Sequence, residues 1–238
     1  MLAAALTFTL VLGGRGVDDC DDIVRTREGH LILACHSTSA NFPAPAGRET
    51  RNMDGWIVRV DPVTQKVLWS TRLGGSAHDA VLRVALDSQG QIHATGVTKS
   101  PDFPVTDGSS YQGGDSDAFV AKLAADGRLL ALSFFGGTKA DLGTAIAIDP
   151  QDRVYLAGET DSPLSGRRHG FLGKKDAFVA RLGEGGWAHL LGGAEDEKLT
   201  GLAVAPNGDL IASGYTLSPD LPRAGGPKGD GDAVIFKL

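Results

Sequence analysis

Short stretches in which apolar and polar side chains alternate recur along the whole chain, and glycine, proline or aspartate bounds most of them. Two examples are TAIAIDP (144–150) and RVYLAGET (153–160), which are joined by a tight turn. An alternation with a period of two places successive side chains on opposite faces of a strand, and no window shows the period of 3.6 expected of a helix. The pattern therefore predicts an all-β protein made of short strands.

The strands belong to a repeated unit that begins with a Gly-Gly pair, and these pairs recur at intervals of 56 to 62 residues. The pairs are Gly13-Gly14, Gly74-Gly75, Gly136-Gly137 and Gly192-Gly193, and the acids that follow them are Asp18, Asp79, Asp141 and Glu197. Each unit continues with two strands around a turn, a variable loop, and a third strand such as DAFVAKL (117–123). A fourth strand leads to the next pair. Four-stranded antiparallel units at this spacing predict a β-propeller.

The last unit has no fourth strand after DAVIFKL (232–238), whereas an apolar strand, AALTFTLVL (4–12), precedes the first Gly-Gly pair. We expect this strand to complete the last unit and to close the ring, because closure removes exposed sheet edges. The prediction is one propeller domain over 1–238, with four blades of four antiparallel strands. The blades cover approximately 13–73, 74–135, 136–191, and 192–238 together with 1–12. A signal peptide is the competing interpretation of the N-terminus, but no Lys or Arg precedes the apolar run.

The unit resembles the SBBP-type β-propeller repeat. Residues 74–123 read GGSAHDAVLRVALDSQGQIHATGVTKSPDFPVTDGSSYQGGDSDAFVAKL, with the paired glycines, the acid, the T-G-x-T and D-F-P segments and the DAFVAKL strand of that repeat. The resemblance covers essentially the whole chain. It implies a propeller fold and a bacterial extracellular or cell-surface location, with no common activity. The family name implies seven blades, whereas this chain has four units. The alternative to a monomeric ring is therefore two chains that share terminal strands in one eight-bladed ring.

Composition restricts the partners. The net charge of −6 argues against nucleic acid, since phosphate binding requires a clustered basic surface. No stretch approaches the roughly 20 apolar residues of a membrane-spanning helix. The two cysteines, Cys20 and Cys35, fall on neighbouring strands of the first unit. They form either a cross-strand disulfide or two reduced thiols.

The loops between the second and third strands differ most from unit to unit, and in a propeller they share a face with the connections between blades. Variable loops on a rigid scaffold commonly carry binding sites, so this face is the predicted binding surface. The candidate partner-binding residues there are His36, Arg48, Arg51, Tyr111, Glu159, Arg167, Arg168, His169 and Tyr215.

The acids Asp18, Asp79, Asp141 and Glu197 admit two interpretations. Each caps its own loop by accepting hydrogen bonds from backbone N–H groups, or the four converge on the ring axis and bind Ca²⁺ through oxygen ligands. No catalytic motif stands out. The predicted function is a non-catalytic interaction module that presents its variable loops to a protein partner. The alternative is a lectin-like binder of glycans or small ligands, assisted by Ca²⁺, and an enzyme is the third hypothesis.

Overall fold

Every regular element in the described part of the chain is a β-strand. The computed structural model describes residues 8–39, 42–43, 52–164, 173–221 and 231–238, and no helix occurs among them. None of these residues therefore forms a helix with the length and apolar character needed to cross a bilayer. The strands form four antiparallel sheets, each made of strands that are consecutive in the chain. The all-β prediction is confirmed, and each sheet corresponds to one predicted unit.

The strand bounds follow the repeat. Sheet 1 contains β1 (Asp18–Arg25), β2 (Leu31–Ser37), β3 (Asp54–Asp61) and β4 (Lys66–Leu73). Sheet 2 contains β5 (Asp79–Leu86), β6 (Ile92–Thr98), β7 (Asp117–Leu123) and β8 (Leu129–Phe135). Sheet 3 contains β9 (Asp141–Ile148), β10 (Val154–Thr160), β11 (Asp176–Arg181) and β12 (Trp187–Leu191). Sheet 4 contains β13 (Glu197–Val204), β14 (Leu210–Thr216) and β15 (Asp232–Lys237). The first strand of each sheet is called its inner strand, because consecutive inner strands contact one another.

The sheets pack face to face in chain order. Ile57 of sheet 1 lies in one buried cluster with Phe119 of sheet 2. The ring centroids of Phe135 in sheet 2 and Phe178 in sheet 3 are 5.2 Å apart, and Leu199 of sheet 4 packs in a cluster with sheet 3. Burial of apolar surface between the sheets stabilises the array. It also explains why the middle strands are apolar on both faces, as in the run DAFVAKL.

Residues 8–12 cover the outer face of sheet 1, the face turned away from sheet 2. Leu10 and Leu12 pack against the buried cluster that contains Trp56 and Val58. Residues 8–12 form no strand, and within the described residues no fourth strand lies beside β15. The predicted closure of the last unit by the N-terminal strand is thus not made by these residues; residues 4–7 lie outside the described part. The physical reason is that sheets 1 and 4 do not pack substantially on each other in the described part of the chain, so residues 8–12, which lie on sheet 1, have no contact with β15.

Each inner strand contains a bulge beside the same position of the second strand. In sheet 2 the register shifts just after Val81, opposite Gly96. A Cβ atom at Gly96 would overlap the carbonyl oxygen of Ala80, so this close approach requires glycine. In sheet 1 the matching position is Cys35, which pairs in register with Cys20 and is joined to it by a disulfide. Of the two states that the sequence left open, the structure contains the disulfide.

Candidate binding cavity

The acid after each Gly-Gly pair lies in a hydrogen-bond network of its own unit. Asp79 accepts hydrogen bonds from the backbone N–H of Gly75 (2.8 Å) and from the hydroxyls of Thr98 (2.5 Å) and Ser100 (2.8 Å). The equivalent acids also accept bonds from a glycine N–H and a hydroxyl of their own units; they are Asp18, Asp141 and Glu197. This is the geometry that the loop-capping interpretation predicts.

The four acids are not gathered into one ion site. In the ranges that the structure describes, no group of three or more His, Cys, Asp or Glu side chains could hold a metal ion. Burial raises the pKa of Asp79 and of Asp141 in spite of the hydrogen bonds donated to them. Their oxygens are occupied in ordering the turns that join the sheets. The Ca²⁺ prediction for Asp18, Asp79, Asp141 and Glu197 gains no support from this geometry.

Two of the predicted binding residues have separate side-chain partners on different sheets. The imidazole Nδ1 of His36 lies 3.0 Å from a carboxylate oxygen of Asp21, beside the exposed inner strand of sheet 1. Glu159 of sheet 3 lies 3.8 Å from the ammonium group of Lys198 in sheet 4. Each side chain therefore has a local partner, and the structure does not bring the two together as an acid–base pair.

The two predicted tyrosines differ in their surroundings. The hydroxyl of Tyr111 donates to the carbonyl of Gly114 (3.0 Å), and its ring packs edge to face on Phe134. Tyr215 lies on the last sheet, where it is 40% exposed. Tyr111 is thus held by its own loop, whereas Tyr215 is available for contact. The remaining candidates lie outside the described residues; they are Arg48, Arg51, Arg167, Arg168 and His169.

A small cavity opens on the predicted binding face, between sheets 2 and 3. It has a volume of about 320 Å³ and includes Asp115, Asp141, Glu159, Asp161 and Lys175 in its lining. Four of these side chains are acidic. This cavity is therefore suited to a cationic group rather than to an anion.

A larger cavity, here called the axial cavity, lies at the opposite end of the inner strands. Its volume is about 620 Å³. It is lined by the turns that follow the inner strands, including residues 26–28, 88–90 and 149–150, together with Arg59 and Ala125. A volume of this size falls in the range of small-ligand sites. The variable-loop face that the sequence favours is therefore not the face that carries this cavity.

The last residues of the four inner strands all line the axial cavity. They occupy the same position of the repeat and are Arg25, Leu86, Ile148 and Val204. Three are aliphatic and one is a guanidinium. At this position of the repeat the cavity wall is therefore apolar in three units, and Arg25 places a cation there in the first unit.

Of the four acids that line the axial cavity, Asp87, Asp149 and Asp152 are engaged within the protein, whereas Glu28 is 66% exposed and lies 3.5 Å from Arg59. Asp152 accepts from both the backbone N–H (2.7 Å) and the hydroxyl (2.5 Å) of Ser88, which links the turns of sheets 2 and 3. Asp149 accepts from Tyr155 (3.1 Å) and from Arg153 (2.5 Å). The two hydrogen bonds from Ser88 lower the pKa of Asp152, and the bond from the Ser88 hydroxyl is the largest cause. The carboxylates thus serve to order the turns.

The three arginines that line the axial cavity differ in whether they have partners within the protein. Arg59 donates to the Nδ1 of His30 (3.1 Å) and to the carbonyl of Ala125 (2.7 Å), so its orientation is fixed. Arg25 and Arg27 have no carboxylate within ion-pair distance among the described residues. The cations available to a ligand are therefore on β1 and the turn that follows it.

The sequence does contain a signal for this cavity. Alignment of the units at their Gly-Gly pairs places Arg25 where the other units have aliphatic residues. The turns themselves are short and alike, so attention to variable loops favours the other face. The axial cavity arises only when three equivalent turns and the end of β13 converge, and no single unit reveals that.

The fold and the cavity define an all-β array of repeated sheets with its inner strands around a small-ligand-sized space. No family model matches the chain, and no curated protein sequence matches it. Among solved structures it is similar to Kuenenia stuttgartiensis hydrazine synthase, at 11% identity and a TM-score of 0.47 over 82% of this chain and 63% of that chain. Two glucose dehydrogenases align at 12% and 11% identity, with TM-scores of 0.40 and 0.36, over 85% of this chain and 79% and 80% of theirs. This chain spans less than two thirds of the hydrazine synthase chain, and all three TM-scores are below 0.5.

Proposed function

We propose that the chain is a non-catalytic binding module of the β-propeller type, in which the axial cavity takes a small amphipathic carboxylic acid. The four sheets pack face to face with their inner strands adjacent, as the blades of a propeller do. In such folds ligands commonly occupy concave sites where several elements converge. The observation that carries the proposal is that Arg25 lines a cavity in which the other three inner strands end in aliphatic residues.

The class of ligand follows from the lining. An apolar body would contact Leu86, Ile148 and Val204, which are partly buried at the ends of their strands. An anionic group would be bound by Arg25, whose planar guanidinium matches a carboxylate in a bidentate geometry. Arg27 adds a second cation to the lining. A ligand with both features uses the whole cavity, whereas a polyol or a cation does not.

The engaged acids support binding rather than catalysis. A general base needs a carboxylate that faces the substrate with a free lone pair. Asp152 and Asp149 instead accept hydrogen bonds from neighbouring turns. Their role in the proposal is to hold the rim of the cavity in one conformation, which lowers the entropic cost of binding.

A protein partner on the variable-loop face, or a glycan there, stays a prediction from the sequence. The extracellular or cell-surface location has the same standing, because it rests on the resemblance to the SBBP repeat alone. No contact among the described residues favours either over the axial cavity.

Ligand-observed NMR with 4-phenylbutyrate and its neutral amide tests the proposal. We expect the carboxylate to bind more tightly than the amide, and Arg25→Leu to weaken carboxylate binding about 10-fold or more, since a hydrogen bond to a charged group contributes roughly 1.5–3 kcal/mol. Leucine is the residue that unit 2 has at this position, so the variant should fold. Arg128→Leu, on an exposed turn outside the cavity lining, is the matched control.

Equal binding of the amide and the carboxylate, or an unchanged affinity in Arg25→Leu, would contradict the assigned ligand class. Failure of the carboxylate to bind the wild-type chain at millimolar concentration would contradict it as well.

A further inference from the structure

One backbone hydrogen bond recurs at every junction between neighbouring sheets. The N–H of the first residue of the inner strand donates to the carbonyl just before the third strand of the preceding sheet. The three bonds are Asp79 to Met53 (2.8 Å), Asp141 to Ser116 (2.8 Å) and Glu197 to Lys175 (2.9 Å). The repeat therefore has a standard junction, with a donor on one side and an acceptor on the other.

The two ends of the array carry the unused halves of this junction. Asp18 holds the donor position at the start of β1, and Gly231 holds the acceptor position just before β15. Within the described residues no hydrogen bond joins them, and no strand of sheet 1 packs substantially on sheet 4. One chain thus presents both partners of a junction without forming it.

The outer face of sheet 4, here called the terminal face, has the composition of a buried junction. It presents Ser213, Tyr215, Ala233 and Ile235, which are paired across β14 and β15. The equivalent residues of sheet 3 include Ala157, Ala177 and Val179, which are fully buried against sheet 4. On the terminal face Ile235 is 77% exposed and Tyr215 is 40% exposed. Solvent therefore contacts an apolar surface that the rest of the array buries.

The edge of sheet 4 is open as well. β15 pairs with β14 on one side, and no described strand pairs with its other side. An unpaired edge offers backbone donors and acceptors to any strand that can add to it.

Residues 8–12 have the sequence pattern of the fourth strand that is missing beside β15. FTLVL (8–12) precedes the first Gly-Gly pair, just as β4, β8 and β12 precede the later ones. Leu10 and Leu12 face sheet 1, while Val11 is 85% exposed on the other side. The segment alternates like a strand but pairs with no described strand.

We infer that the terminal face docks the first sheet of a second copy of this chain, with residues 8–12 of that copy added to the free edge of β15. The Asp18 N–H of the second copy then donates to the Gly231 carbonyl, which repeats the standard junction. The contact is heterologous, and the same contact made reciprocally closes two chains into one ring of eight sheets. The occupant follows from continuity: in the single chain sheets 2, 3 and 4 each pack on such a face of the preceding sheet, and sheet 1 of a second copy is the same repeated unit with this contact unmade.

Side-chain positions at the new junction are complementary. At the junction of sheets 3 and 4, Glu159 lies 3.8 Å from Lys198. The repeat places Tyr215 and Asp19 at the equivalent positions of the new junction. A phenol can donate to a carboxylate there, so the junction retains a polar pair at the same place.

Light scattering of the 238-residue chain over a wide range of concentrations tests the inference. We expect a mass of twice 24.7 kDa. Ile235→Lys should shift the protein to the monomer, because it places a charge in the docked face, while its thermal unfolding stays cooperative, since Ile235 is exposed in the single chain. Val63→Lys is the matched control, since Val63 is 87% exposed on a turn away from the terminal face and should leave the dimer intact.

The variant Thr9→Pro tests whether residues 8–12 of a second copy pair with the free edge of β15. Residue 9 is exposed and lies outside any strand in the single chain, so proline is tolerated there. Proline removes a ladder donor from an added strand, and the dimer should therefore weaken at least 10-fold. A dimer that persists in Thr9→Pro but not in Ile235→Lys would mean that two terminal faces meet each other, which overturns the proposed occupant. A monomeric wild-type chain at all concentrations, or a dimer that survives Ile235→Lys, would overturn the docking surface itself.

Discussion

The buried carboxyl of Asp117 lies close enough to Asp141, across the junction of sheets 2 and 3, for their charges to interact. The N–H of Asp141 donates to the carbonyl of Ser116, directly before Asp117, at 2.8 Å. Burial is the main cause that raises the pKa of Asp117 to about 6; the hydrogen bond from the Gln112 N–H opposes it, and the charge of Asp141 adds to it. At neutral pH Asp117 is therefore mostly ionised, but ionisation costs more free energy in the folded protein than in the unfolded chain.

The first prediction concerns pH. The pKa of Asp117 is higher in the folded chain than the 3.8 of the unfolded one, so its stabilising contribution is fully present below pH 3.8 and is lost as the pH rises through about 6. We expect the free energy of unfolding to rise by roughly 1 kcal/mol between pH 7.5 and pH 5, measured by urea titration. Asp117→Asn should reduce this rise, and the exposed Glu184→Gln should not. An identical pH profile in Asp117→Asn would show that Asp117 does not titrate in this range.

The second prediction concerns the junction acids. Asp141→Ala leaves the N–H of Gly137 and the hydroxyls of Thr160 and Ser162 without their acceptor. We expect a loss of about 2–3 kcal/mol in the free energy of unfolding, since buried donors would be left unsatisfied. The loss should be the same in calcium and in EDTA. A calcium-dependent increase in the melting temperature of the wild type that is absent from Asp141→Ala would instead support the metal hypothesis.

The third prediction concerns the close approach of strands at the bulge. Gly96→Ala would place a methyl group on the carbonyl oxygen of Ala80, so the backbone of the β5–β6 ladder would have to shift to admit it. We expect a loss of more than about 2 kcal/mol in stability. Gly208→Ala is the comparison, since its φ is +89° but its Cβ would meet open space. That variant should lose only about 1 kcal/mol. Equal melting temperatures for the two variants would refute the steric argument.

The fourth prediction concerns the disulfide. Cys20 and Cys35 are 15 residues apart, so the chain-entropy model assigns about 3 kcal/mol to the bond. We expect reduction to lower the free energy of unfolding by about this amount in urea titrations. The double variant Cys20→Val with Cys35→Gly recreates the Val81 and Gly96 pair of sheet 2, and its stability should not respond to reductant. A reductant-dependent loss in that variant would point to a cause other than the disulfide.

The local pattern was sufficient to predict the sheets. DAFVAKL and its equivalents form β7, β11 and β15, and the Gly-Gly pairs mark the passage from one sheet to the next. The cross-strand neighbourhood of Cys20 and Cys35 was also expected from their equal distance from one turn. These features depend on period, turn residues and register, which are properties of neighbouring residues in the chain.

The position of residues 8–12 and the axial cavity depend on properties that the local pattern does not contain. Residues 8–12 alternate like a strand, and they pack on the outer face of sheet 1 without pairing to β15. Their pattern is that of a fourth strand, and it does not say whether sheets 1 and 4 meet within one chain. The axial cavity likewise depends on the convergence of Arg25 with Val204, which are three units apart in the chain.

The recurrence of the junction bond has an evolutionary consequence. A crossover between two copies of the gene segment at the Gly-Gly pairs, joining the codon before Gly74 to that of Gly136, deletes one whole unit. The N–H of Asp141 would then meet the carbonyl of Met53, which already accepts the same bond from Asp79. Unequal recombination could therefore lengthen or shorten such a protein by whole units without a new contact surface having to evolve.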